Sequence, residues 1–287
     1  MPELPEVHAL ASDLDARLRG RTIDRLQVVA FPALKTYDPP VEALSGERVA
    51  GVGRHGKFLD LTTEGGIHLV VHLARAGWIR WRAGAPKTSG RPGSGPLAAR
   101  LVLDDGAGFD VTEAGTKKSL ALYVVRDPAE VPGIARLGPD PLANDFTLER
   151  FRGILASQGR AQLKGMLRDQ SVIAGVGNAY SDEILHVARM SPYKPAAMGV
   201  EDSAALYAAL RSTLAEAVAR ADGVAASELK AEKKSKLRVH GRFGEPCPVC
   251  GARIEQVIFA DRTFQYCPTC QTGGKKLSDR VLDRLLK

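Results

Sequence analysis

The chain has 287 residues, 44% of them hydrophobic and 25% charged, with a net charge of +7 and a pI near 9.3. That length suits two ordinary domains plus a small module, and no apolar run reaches the ~20 residues of a membrane-spanning helix. The basic balance favours an anionic partner, nucleic acid first, without establishing one.

The opening Met1-Pro2-Glu3-Leu4-Pro5-Glu6 is neither a secretory leader nor an arginine-rich transit peptide, so a cytoplasmic protein is expected. Residues 5–19 predict a helix with Val7, Leu10, Leu14 and Leu18 on one face and Gly20 as its stop. Short strands follow at 23–29, 57–61, 68–73, 99–103, 108–111 and 120–125, with Asp104-Asp105-Gly106 as a hairpin turn. The Gly-, Pro- and Ser-rich stretch 84–96 reads as a loop outside the core. This half predicts an antiparallel β-sandwich or barrel with one leading helix.

A proline-rich connection at 127–144 separates it from a helical region, with helices near 147–155, 162–168, 179–187 and 203–221. Leu206, Leu210, Leu214 and Val218 form an apolar stripe that reads as core. Between the second and third helices, Gly175-Val176-Gly177-Asn178 suits a tight turn that opens a helix and can seat a phosphate. Such turns are also common as plain connectors. The break at 222–246 carries Lys230, Lys233, Lys234, Lys236 and Arg238, which read equally as a solvated or mobile loop and as a phosphate-facing one.

All four cysteines fall in one pattern: Cys247-Pro-Val-Cys250, sixteen residues, then Cys267-Pro-Thr-Cys270. Two such pairs predict one tetrahedral zinc, each pair giving two thiolates from a tight turn and the intervening segment forming a β-hairpin. Two disulfides are the rival, and a reducing cytosol disfavours them. Four thiolates leave no open position for water, so the zinc is structural and the chemistry lies elsewhere.

The Pro2-Glu3-Leu4-Pro5-Glu6-Val7 opening, the internal Gly56-Lys57-Phe58-Leu59, the Leu137-Gly138-Pro139-Asp140-Pro141-Leu142 segment, the Gly-Val-Gly-Asn turn and the four-cysteine hairpin occur together. This combination resembles the formamidopyrimidine-DNA glycosylase / endonuclease VIII family of base-excision repair enzymes, from residue 1 to about 274. The resemblance implies a multidomain α+β fold: an N-terminal β-sandwich, a helix–two-turn–helix domain and a C-terminal zinc-finger hairpin, with DNA in the cleft between domains. Domains are expected at 1–126, 145–240 and 241–274, with a linker at 127–144 and a tail at 275–287.

The same resemblance implies site residues. Removal of Met1 would free the Pro2 amine, and an α-amino group is roughly one-tenth neutral at pH 7, a ready nucleophile for a sugar C1′. Glu3 is then the general acid/base and Glu6 a supporting carboxylate. Without the rest of the pattern, Pro2 and Glu3 would read simply as the start of a helix. Lys57, Lys164, Asn178 and Arg262 match DNA-contacting positions, and Lys57 is counted with Pro2 and Glu3 among the catalytic residues.

The departures fall where a lesion is read. Arg75 stands where members excising oxidised purines carry a methionine that fills the vacated base site. The segment 112–118 lacks their arginine–phenylalanine pair, with Lys117 or Lys118 as substitutes, and 223–236 lacks their base-capping sequence. The expected activity is therefore a bifunctional glycosylase and abasic-site lyase that is not a typical 8-oxoguanine enzyme, with weak or absent excision opposite cytosine and with oxidised pyrimidines, abasic sites or bulky or crosslinked adducts as the expected substrates. The alternatives are a lyase alone, a non-catalytic damaged-DNA-binding protein, or a zinc-ribbon protein acting on RNA or in assembly. Damaged DNA is the expected partner, the chain a monomer, and its place the nucleoid.

Overall fold

The computed structural model describes residues 1–84, 95–259 and 262–278, with Phe259 and Arg262 described by their backbone. The chain forms two compact units. The first comprises Met1–Leu137 together with Ala221–Leu229; the second comprises Gly138–Arg220 and Lys230–Lys287.

The first unit opens with helix α1 (Leu4–Leu18), whose Val7, Leu10, Leu14 and Leu18 enter the main core. Two four-stranded antiparallel sheets follow. One has the order β1 (Ile23–Val28), β6 (Leu97–Leu103), β7 (Gly108–Glu113), β5 (Gly77–Arg82). The other runs β2 (Val49–His55), β3 (Phe58–Thr63), β4 (His68–His72), β8 (Ala121–Val125). Side chains alternate across a strand, so Leu59, Leu61, Leu69, Val71, Leu122 and Val124 fill the main core. Their neighbours Phe58, Val70, Tyr123 and Val125 face the other way and form a second, smaller cluster with Val131 and Ile134.

Strands β2 and β5 were not expected. β2 holds two glycines and ends in Arg54-His55, so its composition argues against a strand, and pairing with β3 imposes one. β5 reads Gly-Trp-Ile-Arg-Trp-Arg, its apolar pattern interrupted by arginines. The expected linker at 127–144 is split. A 3₁₀ turn at Pro128–Glu130 and helix α2 (Pro132–Ala135) cover the outer face of β4 and β8, with Val131 fully buried. A Cβ on Gly133 would sit 2.5 Å from the Phe58 ring, so this contact depends on a bare backbone.

The segment Ala221–Leu229 also packs in the first unit. Ala221 and Leu229 join its core, with Val224 and Ala226 against it, and Trp78 Nε1 donates to the Ala226 carbonyl at 2.9 Å.

The second unit holds α3 (Leu148–Gln158), α4 (Leu163–Arg168), α5 (Asn178–Val187) and most of α6 (Val200–Ala221). Thr147 caps α3 by accepting the Arg150 N–H at 3.2 Å. Phe146, Phe151 and Tyr207 cluster in its core, Phe146 stacked on Tyr207 and Phe151 tilted against both. Leu206, Leu210 and Leu214 are buried as expected, but Ala217 takes the next position and Val218 is only half-buried. A helix turns every 3.6 residues, so a strict four-residue stripe drifts off its face. The charge run is not a loop: it forms helix α7 (Leu229–Lys236), within which Glu232 pairs with Arg220 and Lys233 lies 4.5 Å over the Tyr180 ring. The hairpin β9 (Glu255–Phe259) and β10 (Arg262–Tyr266) and the short helix α8 (Pro268–Thr272) complete the unit.

Candidate active site and metal centre

In the first unit the chain enters α1 through a reciprocal cap. The Glu3 N–H donates to Glu6 Oε2 at 2.8 Å, and the Glu3 side chain accepts from the Glu6 N–H. Glu3 is 2% exposed and Glu6 3%, and Pro2 is buried beside them. Ordinary first-turn acids stay in water, because burying a carboxylate without partners is costly.

Lys57 occupies the two-residue turn between β2 and β3, where Gly56 takes a positive φ of 54°. Lys57 is itself 7% exposed, an uncommon position for a turn lysine. Burial, and then the Lys57 charge, push the His72 imidazole down to about 4, so His72 is neutral at physiological pH. Its ring centroid lies 4.6 Å from that of Phe58.

Arg75 is exposed in the turn joining β4 to β5. The Gly77 N–H donates to the Leu73 carbonyl at 2.8 Å, and a Cβ on Gly77 would lie 2.2 Å from that oxygen. Ala74 adopts a left-handed φ of 49°, a strained conformation for a residue with a Cβ. Lys117 and Lys118 lie in an exposed loop, closed by the Glu113 carboxylate, which accepts the N–H groups of Ser119 and Leu120 at 2.8 and 3.1 Å.

In the second unit the four cysteine sulfurs lie within 4.8 Å of one another. A tetrahedral zinc with bonds of about 2.3 Å spaces its sulfurs about 3.8 Å apart. Cys250–Cys267 at 3.4 Å and Cys247–Cys270 at 4.0 Å bracket that edge. Burial and the neighbouring sulfurs push the Cys267 and Cys270 thiols up, while the Ala252 N–H chiefly draws Cys250 down to about 7. A divalent cation removes that conflict by taking all four as thiolates. The donor set fits zinc. Sequence spacing did not reveal that His186 of α5 lies against it, Nε2 to Cys247 Sγ at 3.3 Å. Burial first, then Arg238 and Arg189, push His186 down to about 4, so the neutral ring offers Nε2–H to the sulfur.

The two-turn element between α4 and α5 is braced by Gln170. Its Nε2 donates to the carbonyls of Arg168 and Val176, and its Oε1 accepts the Gly175 N–H. Asn178 begins α5, and its Nδ2 donates to the Thr263 carbonyl of β10 at 2.8 Å. An amide carries two N–H donors, so this bond leaves one for an anion.

Lys164, expected to contact DNA, has its ammonium buried in this structure, where it donates to Asp182 Oδ1 at 2.5 Å, Ser181 Oγ at 2.7 Å and the Asn178 carbonyl at 2.8 Å. These bonds tie Lys164 to the first turns of α5, and its ammonium also lies 5.8 Å from the Phe264 ring. The side chain expected of Arg262 lies outside the described residues, as do 85–94 of the expected loop and 279–287 of the expected tail.

Residues 1–115 match the formamidopyrimidine-DNA glycosylase N-terminal domain, 137–228 its H2TH domain, and 244–273 the zinc finger found in FPG and IleRS. The chain belongs to the formamidopyrimidine-DNA glycosylase family.

A formamidopyrimidine-DNA glycosylase-like protein of Mycobacterium tuberculosis is 51% identical over 160 residues, 55% of this chain and 99% of that one. The formamidopyrimidine-DNA glycosylase of Thermus thermophilus is 37% identical over 285 residues, 96% of this chain and all of the relative. The crystal structure of MutM (Fpg) from Thermus thermophilus superposes with a TM-score of 0.80 at 34% identity, covering 96% of this chain and 100% of that one. A MutM complex with DNA containing carbocyclic 8-oxo-G gives 0.82 at 25% identity, over 94% and 100% of the two chains. The Fpg architecture of sandwich, H2TH domain and zinc finger is therefore present here, with one structural zinc assigned to the cysteine cluster. Among the described residues no helix is long and apolar enough to cross a membrane.

Proposed function

We propose that this Fpg-family chain is a bifunctional DNA glycosylase and abasic-site lyase whose nucleophile is the Pro2 amine, freed by removal of Met1. The observation that carries this reading is the pair of buried carboxylates, Glu3 and Glu6, set beside a buried Pro2. The amine forms a bond to C1′ of the damaged nucleotide as the C1′–base bond breaks, and Glu3 handles the protons at sugar and leaving base. The nitrogen lone pair then breaks the C1′–O4′ bond, O4′ takes a proton, and the opened sugar is an iminium that acidifies the C2′ proton. Its loss expels the 3′ phosphate by β-elimination, and a second elimination expels the 5′ phosphate. Water then releases Pro2.

Lys57, Asn178 and Arg262 grip phosphates, and Arg75 fills the space left when the nucleotide leaves the stack, a step that costs a few kcal/mol. The strained Ala74 supports the Arg75 role, since strain of this kind concentrates at working sites. Cysteines 247, 250, 267 and 270 hold the zinc that shapes the hairpin carrying Arg262. Damaged DNA as partner is supported by the relatives, including a Lactococcus lactis Fpg solved on abasic-site DNA. Because Arg75 and the 112–118 loop replace family lesion-reading residues, 8-oxoguanine opposite cytosine is a poor substrate. A monomer working at the nucleoid suits these roles.

Borohydride trapping on an abasic-site duplex tests the chemistry. A covalent adduct at Pro2 of native protein, lost in Pro2→Gly and reduced in Glu3→Gln, is expected. Mass spectrometry showing Met1 retained, or no adduct at any pH, overturns the proposal. An adduct without release of any damaged base leaves a lyase alone.

A further inference from the structure

We infer that the first unit holds a nucleobase pocket, in which Glu113 accepts an N–H from an unstacked base that carries an exocyclic amino group; the inference rests on the DNA-binding reading above. A cavity of about 500 Å³ opens where the segment after β1 crosses from one sheet to the other. Val29 and Ala30 donate their N–H groups to the Ala98 carbonyl of β6, each at 2.9 Å, and Lys35 donates its own to the Leu122 carbonyl of β8 at 2.9 Å. Between these anchors a single 3₁₀ turn, Phe31–Ala33, lines the cavity. Glu113, the last residue of β7, also lines it and is held by its N–H on the Pro96 carbonyl at 2.6 Å. Walls pinned to both sheets leave little to order when a ligand enters.

The lining is that of a small-molecule site, mostly apolar with a few placed polar groups. Val29, Leu97, Ala98 and Leu120 supply apolar surface. Phe31 stands beside them with 65% of its surface exposed, and the ring of Tyr37, equally exposed, lies 6.1 Å from it. Exposed aromatic rings next to lysines are how proteins stack unpaired bases. Lys35 and Lys118 line the same cavity. Each ammonium donates to one main-chain carbonyl, that of Pro32 and that of Glu113, and keeps further N–H groups for the phosphates flanking a base.

Glu113 supplies the selective group. It is 3% exposed, and its Oε1 accepts the Ser119 and Leu120 N–H groups and faces the Ser119 hydroxyl at 3.4 Å. Among the described residues Oε2 accepts no hydrogen bond, and an enclosed carboxylate oxygen is costly to leave without one. Cytosine, adenine and guanine each carry an amino group that can donate to it, as cytosine N4 does to acidic side chains. Thymine offers only its ring N3–H, flanked by two carbonyl oxygens that a carboxylate repels. The pocket therefore favours amino-bearing bases over thymine. The rival is a carboxylate that only closes the loop after β7, beside a hollow filled with water.

The two readings separate in the affinity of full-length, zinc-loaded protein for short oligo-dC and oligo-dT strands, measured by fluorescence anisotropy. Native protein should hold oligo-dC about tenfold more tightly, the effect of one hydrogen bond to a charged acceptor. Glu113→Gln keeps an oxygen for the Ser119 and Leu120 N–H groups and puts an amide NH₂ in place of Oε2, so the preference should vanish or turn towards thymine. Phe31→Ala should weaken both strands about tenfold and leave the preference alone, since every base has a face to stack. Duplexes with one unpaired cytosine or thymine form a second arm. Discrimination in the single strands alone assigns the pocket to single-stranded DNA, and discrimination in both arms means that a base leaving a duplex enters it too. Equal native affinity for cytosine and thymine in both arms, or an unchanged preference in Glu113→Gln, overturns the inference while DNA binding stands. Absence of binding to every strand, and to a duplex with an abasic-site analogue, defeats the DNA-binding reading itself. If Glu113→Gln does not fold, native protein decides with a strand of the 2-pyrimidinone nucleoside, which lacks only the amino group of cytosine: affinity equal to that for oligo-dC overturns the proposal.

Discussion

Replacing Lys164 by methionine tests whether that residue serves the fold or the ligand. The substitution keeps the length of the side chain and removes its charge. Asp182 is then left with its side chain fully out of solvent, supported among the described residues by His240 and the Gln265 N–H. Breaking a buried pair from one side costs about 3–5 kcal/mol, because the remaining charge has lost its compensation. The lost bonds to Ser181 Oγ and the Asn178 carbonyl add little: the Ser181 hydroxyl still donates to the Gly177 carbonyl, and the Asn178 carbonyl lies in the first turn of α5. An expected total of about 4 kcal/mol follows. Removing both charges together, in Lys164→Met with Asp182→Leu, should cost less than the sum of the single changes. Urea unfolding of zinc-loaded protein reads these differences as midpoint shifts at constant slope. A DNA-contacting Lys164 predicts the opposite result: stability within about 0.5 kcal/mol of native and a salt slope reduced by ~0.9. That outcome would refute the inward reading.

Gly77→Ala must push a methyl against the Leu73 carbonyl, 2.2 Å away, and should destabilise by about 1–3 kcal/mol. Gly153→Ala in α3 meets nothing within 4 Å and should instead gain about 0.4–1 kcal/mol, both variants being read by urea unfolding; equal effects would dismiss the steric account of the Arg75 turn. Stripping zinc with a chelator should abolish the finger's protection from trypsin. His186→Phe, which removes the hydrogen bond to Cys247, should weaken metal retention about tenfold in a chromogenic competition assay. Native retention in that variant would leave His186 with a packing role only. His72 is pushed down to about 4, below the ordinary ~6.5, so the unfolded chain takes its proton first as pH falls. Its contribution is complete above about pH 6.5 and is lost on the way down to about pH 4, at most about 3 kcal/mol. His72→Gln should therefore show a shallower loss of stability across that window, and an unchanged slope would place the acid sensitivity elsewhere.

What could be read from the sequence was what local spacing encodes. Helix α1 announces itself through Val7, Leu10, Leu14 and Leu18, and the zinc site through two Cys-x-x-Cys pairs, because ligand and core positions recur within a few residues of one another. β2 failed that test because its glycines become a strand only when β3 lies alongside. The run of lysines read as a loop, solvated or phosphate-facing, is a helix, since Glu232 finds Arg220 and Lys233 finds a ring of α5, contacts that no window over 229–236 contains. The return of Ala221–Leu229 to the first unit hangs on Trp78, 148 residues from the carbonyl it binds. One signal for the Asp182 array was present. Adjacent acids, Asp182-Glu183, sit within a short helix whose neighbours Ala179, Tyr180, Ile184 and Leu185 are apolar and buried. Charges placed on an apolar face require partners. Here the partners are distant in sequence: Lys164 and His240 for Asp182, and for Glu183 the main-chain N–H groups of Arg238, Val239 and His240, at 2.7, 3.0 and 2.9 Å. An acid pair in that position predicts that something cationic or N–H-rich will close over it, but only the folded chain says which residues do so. That is why the metal ligands were readable from spacing while the Lys164–Asp182–His240 array was not.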